Sequence, residues 1–97
     1  SLADQIKLFN QAEIICGPSG SGMTNHIFAP IQATLIEMQP NTYINRAHWF
    51  SSNLRGQDYL FVMGLGQTES HDYSVSLSKL KLVVEMAIDN SSTKSNL

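Results

Sequence analysis

Three short apolar runs constrain the fold most: Glu13-Ile14-Ile15-Cys16, Thr34-Leu35-Ile36-Glu37-Met38 and Tyr59-Leu60-Phe61-Val62-Met63. Each stops at a breaker, Gly17-Pro18, Pro40 and Gly64 respectively. Such runs read as buried strands. Between and around them lie apolar residues at helical spacing: Leu2, Ile6 and Phe9; Ala47, Phe50 and Leu54; and Leu77, Leu80, Val84, Ala87 and Ile88. Ser1 with Asp4 can form a capping box, Gly56 can close the middle helix, and Ser76 can cap the last. Met23–Phe28 suits a short helix that stops near Pro30. The order is therefore α-β-α-β-α-β-α. Apolar strands alternating with helices predict an α/β fold, a Rossmann-like parallel sheet of about three strands with helices on both faces. Residues 1–88 form the domain. Residues 89–97 lack an apolar anchor and read as a flexible C-terminal tail.

At 97 residues this is one small domain, too short for two complete nucleotide-binding lobes. Only 14% of residues are charged, against about 25% in an average domain. Either a partner domain or subunit covers an apolar face, or Ser, Asn and Gln carry the solvent side. The net charge is −2, with no basic stripe, which excludes a general nucleic-acid binder. No apolar run approaches the ~20 residues of a membrane span. The single cysteine, Cys16, excludes an internal disulfide and a cysteine-based zinc site. It fits a reducing, cytoplasmic setting.

The most informative stretch is Gly17-Pro18-Ser19-Gly20-Ser21-Gly22-Met23-Thr24-Asn25, after the first strand and before a helix. In parallel sheets, ligands sit beyond the carboxyl ends of strands. Glycines allow close approach of a phosphate to backbone N–H groups, and a helix N-terminus adds partial positive charge. Ser19, Ser21 and Thr24 add hydroxyls. Walker loops need a lysine that is missing here, and G-x-x-G-x-G is not the dinucleotide fingerprint. Two readings stand side by side: a phosphate or sugar-hydroxyl site, and a tight turn that binds nothing.

Glu37 lies at the end of the second strand, where a carboxylate is costly unless paired or useful. It can hold ribose hydroxyls, or it can face solvent or pair with Arg46. His26 can lie on an exposed helix face or assist a phosphate. His48-Trp49 can stack on a base or sugar, or pack internally. Asp58, His71 and Asp72 are general-base candidates by type alone, so the catalytic residue is unassigned. Arg46 and Arg55 suit either a phosphate or a solvated helix face.

Taken together, Ala12-Glu13, Gly17 to Gly22 with Thr24-Asn25, Phe28-Ala29-Pro30 and Leu35-Ile36-Glu37-Met38-Gln39-Pro40 resemble glycosyltransferase family 61. That family runs through an apolar strand, Gly-x-His-Gly-Ala-x-Leu-Thr-Asn, Phe-x-Pro and Val-Ile-Glu-Ile-x-Pro. The likeness covers roughly residues 1–88. It departs where Ser19 and Ser21 replace the family's His and Ala, so position 19 carries no charge.

The resemblance implies part of the C-terminal lobe of a two-lobed GT-B enzyme. It implies inverting, metal-independent transfer from a nucleotide-sugar donor to a glycan acceptor, of the kind that builds bacterial capsular polysaccharide. It places Gly17, Ser19, Gly20, Ser21, Gly22, Thr24, Asn25 and Glu37 at the donor. The missing N-terminal lobe or another subunit would cover an apolar face, and a homodimer is the alternative partner. Competing readings are a non-catalytic nucleotide or sugar-phosphate module and a dimerising structural domain.

Overall fold

A computed structural model describes residues 1–41, 44–66 and 73–95. The fold is α/β. A four-stranded sheet has the order β1 (Ile14–Pro18), β2 (Thr34–Pro40), β3 (Asp58–Gly66), β4 (Tyr73–Ser74). β1 and β3 flank β2 in parallel, whereas β4 runs antiparallel to β3 through Leu65–Ser74 and Gly66–Tyr73. The helices are α1 (Leu2–Asn10), α2 (Ala47–Arg55) and α3 (Leu77–Ser95), with a 3-10 helix at Ser21–Phe28.

Register decides which side chains share a face. Ile15, Leu35 and Tyr59 are in line across the strands, and so are Gly17, Glu37 and Phe61. Ile15 and Leu35 pack with Met23, Ala29 and Ala33, supported by Phe9, Ala12 and Tyr59. On the opposite face Ile36 and Val62 pack against Ala87, with Leu80, Val83 and Val84 of α3 around them. Covering each face removes apolar area from water, which is the dominant favourable term in folding.

The expected punctuation does its work. Ser1 Oγ accepts from Asp4 N at 3.2 Å and donates to Asp4 Oδ2 at 2.9 Å. Ser76 Oγ accepts from Lys79 N at 3.4 Å. Gly56 takes a left-handed φ of 76° at the end of α2, the conformation glycine supplies without steric cost.

Four features differ from the sequence reading. The sheet gains β4, which a two-residue strand without an apolar pattern could not announce. Gly64 lies inside β3 rather than ending it: a Cβ there would stand 2.6 Å from Ser74 O, so glycine lets β4 return beside β3. α2 is turned over, with Phe50 and Leu54 exposed while His48 and Ser52 are buried. α3 stays helical through Ser95, past the boundary at 88, because no glycine or proline interrupts it. Leu77 and Ile88, expected on its inner stripe, are exposed. The loop residues 67–72, with base candidates His71 and Asp72, lie outside the described residues.

Candidate functional site

The inverted α2 is explained by what its polar side meets. Glu37, in the middle of β2, is completely buried. Its carboxylate receives three donors: His48 Nδ1 on Oε2 at 2.5 Å, and Tyr59 Oη at 2.6 Å and Gln39 Nε2 at 2.9 Å on Oε1. An ionised carboxylate is acceptor-only, so these donors replace the water it has lost. Gln39 is itself fixed, donating to Asn45 O and accepting from Asn45 N. Asn45 Oδ1 accepts from Ala47 N and starts α2. The strand glutamate and the helix that carries its histidine are thus tied by one network.

His48 has its other ring nitrogen, Nε2, 3.3 Å from Thr24 Oγ1. Thr24 is exposed, in the 3-10 helix that follows the glycine turn. Donation from Nδ1 to Glu37 leaves Nε2 to accept from the Thr24 hydroxyl in the neutral ring. The chain Glu37–His48–Thr24 therefore runs from the interior to the surface beside the turn.

A second polar cluster lies alongside. His26 is fully buried, with Nδ1 2.7 Å from Gln57 Oε1 and Nε2 2.6 Å from Ser51 Oγ. Its ring meets that of His48 edge-on, with centroids 5.9 Å apart. Gln57 Nε2 donates to the carbonyls of His26 and Ala29.

Two tyrosines titrate above their ordinary range. Burial pushes Tyr59 up first, and its hydrogen bond to Glu37 adds to the effect. Burial also raises Tyr73, with the Glu37 charge behind it and the Ser19 backbone working the other way. Tyr73 Oη donates to Met38 O at 3.0 Å.

Beside this network is a cavity of about 380 Å3, lined by Gln39, Ile44, Asn45, Arg46, Trp49, Tyr59 and Phe61. The Tyr59 and Phe61 rings stack with centroids 6.5 Å apart. Aromatic lining with a few polar groups suits a planar ligand.

The residues expected at a ligand fall into two sets. Gly20, Gly22 and Thr24 are exposed, and Ser21 opens the 3-10 helix. A Cβ on Gly20 or Gly22 would meet nothing within 4 Å, so the fold does not demand glycine there and the backbone is open to approach. Gly17 is buried in β1 and packs on Met23. Ser19 is half-buried, its N–H donating to Met38 O at 2.8 Å. Asn25 Nδ2 donates to Gln5 Oε1 at 3.4 Å, a tie to α1.

Glu37 does not face solvent: it is buried, and its oxygens are occupied by protein donors. His26 likewise is internal, not on an exposed face. Asp58 accepts from Asn90 Nδ2 at 2.6 Å, and Arg55 Nη2 donates to Ala29 O at 2.9 Å. The sequence reading missed the pairing of His48 with Glu37. Its one signal was the cost of a carboxylate inside an apolar strand, which requires a partner somewhere.

Among the described residues, no helix is long and apolar enough to cross a membrane. No curated protein and no solved structure matches the chain. Residues 1–46, which hold the glycine turn, Thr24 and Glu37, match the family model described as Glycosyltransferase 61, and this match supports the assignment of the chain to glycosyltransferase family 61.

Proposed function

We propose that the chain is the donor-binding part of a glycosyltransferase that uses a nucleotide sugar. The observation that carries this reading is a conjunction on one side of the sheet. The glycine turn leaves its backbone uncovered at Gly20 and Gly22, and the aromatic cavity opens beside the same Glu37–Gln39–Tyr59 network. In this reading the turn, with Ser19, Ser21 and Thr24, receives the diphosphate. Trp49, Tyr59 and Phe61 receive the base, and Arg46 adds a cation at the cavity. Gly17, Asn25 and Glu37 hold that arrangement from behind.

The likeness to the family supplies the rest of the proposal: inverting transfer, without a metal, to a glycan acceptor, in bacterial surface polysaccharide synthesis on the cytoplasmic side. The general base is left to residues outside this site. The outward apolar side of α2, Phe50 and Leu54, favours a covering lobe or subunit, and a second copy of the chain is the alternative cover. Sedimentation of the chain separates these, since a concentration-dependent dimer supports the second copy.

The test is titration of UDP, GDP, CMP and ADP into isotope-labelled protein at one pH. Saturable amide shifts at 17–25 and in the cavity are expected for one nucleotide. Trp49→Ala should then weaken that nucleotide about 5- to 150-fold, the equivalent of roughly 1–3 kcal/mol of base stacking. A folded protein with no shift for any of the four would sink the reading.

A further inference from the structure

The glycine turn has no cation of its own. Ser19 is uncharged, and His26 is held inside by Gln57 and Ser51. We infer that His48 supplies the missing positive charge through Thr24: the Glu37–His48 pair takes up a proton and so turns the Thr24 hydroxyl outward, as a donor to a phosphate-type anion at the turn. This rests on the donor-site reading above.

A threonine hydroxyl has one proton to donate and lone pairs that accept. In the neutral ring, Nδ1–H donates to Glu37 and Nε2 accepts from Thr24. The hydroxyl proton then points inward, and its lone pairs face any arriving anion. The buried pair carries one negative charge, that of Glu37, which repels an anion further. A second proton, taken from solvent onto Nε2, reverses both effects. Nε2–H donates to Thr24 Oγ1, the hydroxyl proton is released outward, and the pair becomes neutral overall. Only an N–H bond on Nε2 is made, so anion binding is linked to the uptake of one proton.

The other groups around His48 do not supply this link by the same route. His26, on the 3-10 helix, meets it ring edge to ring face and makes its bonds elsewhere. Tyr59 on β3 and Tyr73 on β4 are pushed upward by burial and by Glu37, away from neutral pH. Arg46 precedes His48 by two residues and keeps its charge throughout. Thr24 is the group that meets the ligand. Glu37 is a positioning residue that acts through His48.

Sulfate is the probe, because it keeps two charges across about pH 5–8, the range in which an unperturbed histidine titrates. In the free protein, nitrogen NMR of the histidines should show His48 protonated on Nδ1 and bare on Nε2. Sulfate should drive it to the doubly protonated form. Sulfate affinity should fall by up to about tenfold per pH unit on the alkaline side, the slope for one proton. Thr24 is exposed, so Thr24→Val should fold and should flatten that slope, and Thr24→Ser should restore it. A pH-independent sulfate affinity, a slope retained in Thr24→Val, or a His48 that stays singly protonated with sulfate bound overturns the inference. Failure of sulfate to bind overturns it too. Nucleotide shifts at Gly20–Gly22 at fixed pH would in that case leave the donor site standing.

Discussion

His48 Nδ1 lies 2.5 Å from Glu37 Oε2, and both side chains are shut away from solvent. The pair joins a strand centre to the first turn of α2, so its loss acts on the fold as well as on the site. Removing His48 takes one of three donors from the buried Glu37 carboxylate, which costs about 1.5–3 kcal/mol, the worth of a hydrogen bond to a charged group. His48→Ala should lower the denaturation midpoint accordingly. A loss below about 1 kcal/mol would show that solvent reaches Glu37.

Thr34 predicts the opposite sign. Its hydroxyl oxygen is buried with no hydrogen-bond partner among the described residues. Thr34→Val keeps the shape and removes the orphaned group. It should raise stability by about 1 kcal/mol in urea unfolding. A destabilised variant would mean that the hydroxyl is satisfied in solution.

The glycines separate folding from binding. Alanine at Gly64 would place Cβ 2.6 Å from Ser74 O and 2.7 Å from the Tyr73 ring, so β4 must move. Gly64→Ala should cost about 1–3 kcal/mol and perturb amides at 73–74. Gly20→Ala has open space and an extended backbone. It should melt within a few degrees of the parent yet bind nucleotide at least about tenfold more weakly, since each ~1.4 kcal/mol is tenfold. Equal stability losses at the two positions would contradict this division.

Tyr59 makes stability sensitive to alkali. Its folded pKa is raised above the unfolded value near 10, so the native state keeps the proton longer. The contribution is fully present below about pH 10 and is lost as pH rises toward the folded pKa. Unfolding free energy should therefore fall over that interval, and Tyr59→Phe should flatten the decline. Tyrosinate absorbance under native conditions checks the assignment, because Tyr59 should ionise above the ordinary tyrosine range and Tyr59→Phe should remove that late step.

The strands and caps were legible because their signals are local. The runs at 13–16, 34–38 and 59–63 correspond to β1, β2 and β3, and Ser1, Gly56 and Ser76 mark helix ends as their chemistry requires. α2 shows the limit. Periodicity ranks faces by hydrophobicity, and Phe50 and Leu54 point to one side of the helix. The buried side is instead His48, Ser51 and Ser52, because Glu37, His26 and Gln57 wait beneath it. Burial there follows hydrogen-bond demand from residues on other elements, which no window along the chain contains. The turn itself was legible as an open glycine loop. The division of its residues between surface and support was not, since it depends on Met23 under Gly17 and Gln5 beside Asn25.

The chain has a single tryptophan, Trp49, and it stands half-exposed at the cavity rather than in either core cluster. Its fluorescence is consequently a poor gauge of core collapse and a direct gauge of what fills the cavity. Emission should change little when the free protein unfolds, compared with the far-ultraviolet dichroism of its helices. A stacked base should quench it at concentrations where the dichroism is unmoved. The protein thus carries its own optical probe for the ligand, with no label attached.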